Sequence, residues 1–157
     1  MVEKDEVPRH IVVIPDGNRR WAKEHGKQAL EGHAVGIDKL RKIAEWCREF
    51  GVKSVTLWGF SLENFGRDKA EVEGLMKMLE MKFDEFKKRA EIHENKIRVR
   101  FFGRLNLLSK GLQKKIKEIE KDTAEYDEHN LNILLAYGGR SEIVDACKAA
   151  IADAKAR

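Results

Sequence analysis

Cysteine and proline are both scarce, with two of each in 157 residues. Cys47 and Cys147 lie far apart, outside any CxxC or Cys/His ligand spacing, which argues against a zinc or dithiol site. Both read as reduced core residues of two helices. Two prolines and no biased tract exclude a disordered linker. Long apolar runs are missing too: stretches such as 11–14 fall far short of a membrane span. The opening residues Met-Val-Glu-Lys-Asp-Glu carry no signal-peptide core, so a soluble, cytoplasmic protein is expected. Nor does one sign of charge prevail. Thirty-one basic side chains face 27 acidic ones, a net +4 interleaved along the chain. Lys87-Lys88-Arg89 and Lys114-Lys115 sit beside Glu or Asp at helical spacing and read as solvated helix faces, so no nucleic-acid partner is expected. What is present is a 42% hydrophobic chain, long enough to bury roughly 68–70% of its unfolded surface without a covalent staple.

Short apolar runs alternate with amphipathic stretches. Residues 11–14 form an apolar run stopped by Pro15-Asp16-Gly17, the signature of a buried strand entering a turn. Ile37, Leu40, Ile43, Cys47 and Phe50 make a helical stripe over 33–50, ended by Gly51. Residues 52–60 read as a second strand and 61–68 as a turn-like segment. A helix is predicted over 69–94, from Val72, Leu75, Leu79, Phe83, Phe86 and Ala90. Then come a strand at 97–102, a helical pattern over 108–126, a strand at 131–137 and a last helix at 142–155. This β-α alternation, with connections long enough for crossovers, predicts an α/β fold: one parallel sheet with helices on its faces.

In such a sheet, ligands bind beyond the carboxyl ends of the strands. The first exit reads Pro15-Asp16-Gly17-Asn18-Arg19-Arg20-Trp21. Gly17 admits close backbone approach to oxyanions, Arg19 and Arg20 offer forked hydrogen bonds, and Asp16 is a hard oxygen ligand suited to Mg²⁺. By themselves these residues serve equally as an Asp-Gly β-turn. The second exit adds Ser61, Glu63, Asn64 and Arg67, which alone read more readily as a helix-entry cap than as a substrate site. The fourth exit is Tyr137-Gly138-Gly139-Arg140, and the third, Gly103-Arg104-Leu105-Asn106, is plainer. His33 either faces the first exit or begins a helix; His10, His25, His93 and His129 have no ligand spacing. Neither GxxxxGK[ST] nor GxGxxG occurs after a strand.

Taken together, His10-Ile-Val-Val-Ile-Pro-Asp-Gly-Asn-Arg-Arg-Trp-Ala22, Gly32-His33, Gly59-Phe-Ser-Leu-Glu-Asn-Phe-Gly-Arg67 and Ala136-Tyr-Gly-Gly-Arg140 resemble the cis-prenyltransferases, the undecaprenyl and dehydrodolichyl diphosphate synthases. The resemblance implies a Rossmann-like fold of the undecaprenyl diphosphate synthase type. It implies a Mg²⁺-dependent enzyme that extends an allylic prenyl diphosphate with isopentenyl diphosphate, each new double bond in cis. In that pattern Asp16 organises Mg²⁺ and helps the allylic diphosphate leave, while Gly17, Asn18, Arg19, Arg20 and Trp21 bind it. His33, Ser61, Leu62, Glu63, Phe65 and Arg67 line the substrate sites, and Asn64 falls at the proposed proton acceptor. A neutral amide is a poor base, so Asn64 is expected to position a proton for a substrate diphosphate oxygen. The stripe of the long helix would partly line an apolar tunnel, where Gly59 and Gly74 bear on product length.

Two departures accompany the resemblance. Ala29 stands where many members have an Arg that helps hold the allylic diphosphate. The family also continues into an Arg-Thr-Ser-Gly-Glu-like strand, further basic residues for isopentenyl diphosphate, a second acidic Mg²⁺ ligand and much of the dimer interface, none of them in this sequence. The expectation is therefore an N-terminal tail at 1–9 and a domain at 10–157, truncated after the fourth strand–helix unit and inactive alone, with a homodimer at full length. A non-catalytic or half-site subunit that needs a partner chain is the alternative. Peripheral contact with a membrane surface is compatible with so apolar a product.

Overall fold

The computed structural model describes residues 7–156; residues 1–6 of the expected tail lie outside it. β-branched and aromatic runs form four strands: β1 (His10–Val13), β2 (Ser54–Ser61), β3 (Ile97–Phe102) and β4 (His129–Tyr137). All pairings are parallel and the order is β1-β2-β4-β3, so the exits of β1, β2 and β4 are neighbours while that of β3 lies at the far edge. The plainest strand exit in the sequence is thus at an edge of the sheet, beside that of β4 and away from those of β1 and β2.

Six helices connect and follow the strands: α1 (Asn18–Glu24), α2 (Ala29–Glu49), α3 (Lys69–Lys87), α4 (Ala90–Glu94), α5 (Lys110–Asp122) and α6 (Gly139–Ala156). α2 starts four residues before the expected 33 because Gln28 and Glu31 form a capping box there. α3 begins at Asp68, whose carboxylate accepts from the N–H groups of Ala70 and Glu71. The single helix expected over 69–94 is two: Arg89 takes an extended conformation, and α4 then buries Ile92 in the core. No Gly or Pro marks that break, which follows from burying Ile92 on the way into β3.

The main core lies between α3, α5 and the sheet, where Leu112, Leu135, Val99 and Ile116 are almost fully buried. A second cluster joins Cys47, Val52, Val55 and Leu57, with Val7, Ile11 and Leu40 against it. Lys87 with Glu118, and Lys115 with Asp84, tie α3 to α5 across their polar edges. The other face of the sheet carries His10, Thr56 and Asn132, joined by hydrogen bonds of 2.8 Å (His10 Nε2 with Thr56 Oγ1) and 3.1 Å (Asn132 Nδ2 to Thr56 Oγ1). Val12 is 55% exposed. α6 has no buried residue, so the core placement expected for Cys147 is corrected: it is exposed, whereas Cys47 is buried as expected. No helix among the described residues is long and apolar enough to cross a membrane.

Candidate active site

Gly17 caps α1 in the left-handed region, at φ 89°, a conformation costly for any residue with a Cβ. That turn aims Asp16 outward. The Asp16 Oδ1 accepts from the Gly17 N–H at 2.6 Å and its Oδ2 from Arg20 at 3.0 Å. These contacts, the Gly17 N–H first and then Arg20, hold the Asp16 carboxyl below the usual carboxylate range. Trp21 stacks on His25 at 4.3 Å between ring centroids.

α1 lies very close to α2. A Cβ on Gly32 would sit 2.2 Å from the Asn18 carbonyl oxygen, and one on Gly36 would sit 2.5 Å from Asn18 Oδ1. Asn18 therefore packs against the glycine face of α2. His33, between those two glycines, points toward the start of α3. Its Nε2 is buried without a hydrogen-bond partner, 3.7 Å from Glu71 Oε1. Burial first, then the positive charge of Arg67, lowers the His33 pKa, and Glu71 opposes them in part.

At the second exit, Asn64 Oδ1 accepts from the Ser61 N–H at 3.0 Å, which closes a short 3₁₀ turn over Glu63–Gly66. The Asn64 carbonyl is thereby oriented, keeping one acceptor lone pair, and both of its amide N–H groups stay available as donors. Glu63 is exposed, and its pKa is lowered by its own backbone N–H, then by the Ser61 hydroxyl and, more weakly, by Arg140. Phe65 packs edge-on against Phe60 at 5.0 Å. The Leu62 N–H donates to the Tyr137 carbonyl at 3.0 Å, joining the second and fourth exits. Leu62 and Phe65 thus belong to the edge of the core as well as to the site.

Arg67 Nη1 lies 3.2 Å from Glu71 Oε1, and Arg19 Nε lies 3.7 Å from the same oxygen. The structure accordingly brings Asp16 through Arg20, His33, Asn64 and Arg67 to adjoining strand exits. Sequence reading missed Glu71. Its only signal was an Arg67/Glu71 pair at i,i+4, indistinguishable from a solvated helix pair.

A cavity of about 490 Å³ runs between α2, α3 and the sheet, from Gly59 and Leu135 to a charged margin that includes Arg41, Glu45, Lys53 and Lys82. Leu40, Val55, Leu57, Phe83, Ile133 and Leu135 are among its apolar walls, and Gly59 opens one of them. Gly74, expected with Gly59 along a tunnel, instead receives Leu30 at the α2–α3 contact. The cavity runs along residues 52–59, from the approach to β2 through most of that strand.

Fold and site together define a parallel α/β domain that gathers cationic groups beyond three adjacent strands, with a largely apolar cavity along the core face of the same sheet. The chain belongs to the cis-prenyltransferase family, since the family model described as putative undecaprenyl diphosphate synthase matches residues 14–157. It is 47% identical over 147 residues to the tritrans,polycis-undecaprenyl-diphosphate synthase (geranylgeranyl-diphosphate specific) of Methanocaldococcus jannaschii, covering 94% of this chain and 52% of that protein. The isoprenyl transferase of Thermus thermophilus is 41% identical, with 99% of this chain and 59% of that protein covered. Among solved structures, lavandulyl diphosphate synthase from Lavandula x intermedia, in complex with dimethylallyl diphosphate, superposes with a TM-score of 0.90 at 31% identity, over 95% of this chain and 63% of that one. The chain spans between about half and three-fifths of the length of these curated relatives.

Proposed function

We propose that these residues form the allylic-diphosphate half of a site for cis-prenyl chain elongation, in which isopentenyl diphosphate is added to an allylic prenyl diphosphate. The carrying observation is that Asp16, Arg19, Arg20 and Arg67 stand at adjoining strand exits of a sheet whose core face carries a largely apolar cavity reaching Gly59 and Leu135. A diphosphate head would meet guanidinium forks and the free first N–H groups of α1, while its hydrocarbon body enters the cavity away from water. Relatives named as specific for geranylgeranyl diphosphate support that primer.

The donor set fits Mg²⁺ in one mode. Among the described residues no group of three His, Cys, Asp or Glu side chains could cage an ion. Mg²⁺ held with a diphosphate, however, needs only one or two protein carboxylates, the rest being phosphate and water. Asp16 is exposed and ionised, with lone pairs left on both oxygens, so it is the residue that would hold the ion. Bound there, the metal would neutralise charge on the departing diphosphate. Arg19, Arg20 and Arg67 would orient that group. Asn64, a neutral amide with its N–H₂ free to donate, would orient a diphosphate oxygen toward the proton to be lost and not take that proton itself.

On this reading the second substrate, isopentenyl diphosphate, is held by residues beyond these 157, and homodimer assembly belongs to the full-length protein. Work in the cytoplasm with delivery of product to a membrane surface completes the proposal. The test adds labelled isopentenyl diphosphate, geranylgeranyl diphosphate and Mg²⁺ to this chain and to a version extended to its relatives' length. The extended protein should make a long cis-polyprenyl diphosphate and its Asp16→Ala variant none, whereas the 157-residue chain should bind primer without turnover. An extended protein with no product, or an Asp16→Ala variant of near-normal rate, would sink the enzyme reading. Turnover restored by mixing this chain with a different partner chain would favour the half-site subunit instead.

A further inference from the structure

We infer that Glu71 is a positioning residue: its carboxylate stands in for the ligand's diphosphate and holds Arg67, Arg19 and His33 in place before the ligand arrives. The inference rests on the proposed diphosphate site. Arg19 belongs to α1, His33 to α2 and Arg67 to the exit of β2, three segments distant in sequence. One oxygen, Glu71 Oε1, meets all three, at 3.7, 3.7 and 3.2 Å. This is no ordinary surface pair. The side chains of Glu71, His33 and Arg67 are only 13%, 15% and 26% exposed, and the Glu71 N–H is anchored on Asp68.

By charge alone, a carboxylate among cations that receive an anion opposes binding. Its contribution must therefore come through geometry. Without it, Arg67 and Arg19 would repel each other and sample many rotamers, and ordering them would weigh against the ligand. The distances also divide the roles. Arg67 makes a hydrogen bond and stays fixed, whereas Arg19 and His33, at 3.7 Å, are near enough to be aligned and loose enough to pass to a phosphate oxygen.

The test is calorimetric titration of the 157-residue chain and its Glu71→Gln and Glu71→Asp variants with inorganic diphosphate and Mg²⁺. Gln removes the charge but keeps the length; Asp keeps the charge but withdraws it from the three partners. Positioning predicts that both variants weaken the affinity by about fivefold or more, with melting temperatures near that of the parent. The ring pKa of His33, followed by NMR, should fall further in Glu71→Gln. A Gln variant that binds equally or more tightly makes Glu71 a mere competitor, and an Asp variant with parental affinity makes its role one of charge; either result overturns the inference and leaves the diphosphate site standing. If the parent chain itself fails to bind diphosphate, the site reading falls and this inference with it. Should Glu71→Gln not fold, Glu71→Asp alone decides.

Discussion

At His33, burial and the charge of Arg67 push the imidazole pKa down while Glu71 pulls it up, with a net lowering. The folded protein therefore binds this proton less readily than the unfolded chain, whose histidine titrates near its ordinary value of about 6.5. Between the folded value and that figure the unfolded state holds more protons, so stability falls as pH drops through the window. Urea unfolding at pH 7.5, 6.5 and 5.5 should show that slope, and His33→Gln should remove part of it; identical slopes would refute the buried neutral imidazole. A second residue-scale expectation concerns Gly36, where a methyl group would overlap the Asn18 carboxamide. Gly36→Ala should cost about 1–3 kcal/mol in denaturant unfolding and weaken diphosphate binding by displacing α1. Unchanged stability and affinity together would show that the contact is slack. Asp16, Arg19, Arg20 and Arg67 were legible in the sequence because each lies within a few residues of a strand end. Glu71 was not, because its meeting with Arg19 and His33 exists only once α1, α2 and α3 are packed.

The helices differ in what their caps do. Asp68 and Ser109 both cap N-termini, through the N–H groups of Ala70 and Glu71 in one case and of Leu112 in the other. Replacing either by Ala should cost about 1 kcal/mol, read by urea or thermal unfolding. Only Asp68→Ala should also weaken diphosphate binding, because it alone frees the backbone under Glu71. Equal effects of the two variants on affinity would break that link. The apolar periods of α2, α3 and α5 were readable because their stripes meet the sheet. The split between α3 and α4 was not, since no Gly or Pro marks residues 88 and 89 and the need to bury Ile92 decides it. α6 misled in the opposite way: Ile143, Cys147 and Ile151 keep helical spacing, yet Ile143 and Ile151 are 66% and 56% exposed.

Across the described residues, α6 buries no side chain, and polar contacts tie its first turns to the domain, the Tyr137 hydroxyl donating to Glu142 at 2.5 Å and Arg104 pairing with Asp145 at 3.0 Å. Exposed pairs of this kind contribute at most about 1 kcal/mol each. Ending the chain after residue 141 should therefore lower the melting temperature by no more than about 8 °C. A loss of cooperative unfolding, followed by calorimetry, would show that α6 is integral. Parallel pairing was predictable from the alternation of strands and helices, but the insertion of β4 between β2 and β3 was not, because the strands contain no mark of their neighbours. That insertion sets the exits of β1, β2 and β4 side by side, at the end of a sheet whose core face carries a largely apolar cavity. The molecule consequently has the shape of a receptor for soap. An alkyl phosphate or sulfate of modest length carries its anionic head and oily tail in the same order as rim and cavity. At low concentration such a surfactant should raise the melting temperature of this domain, by mass action, where it would denature most proteins.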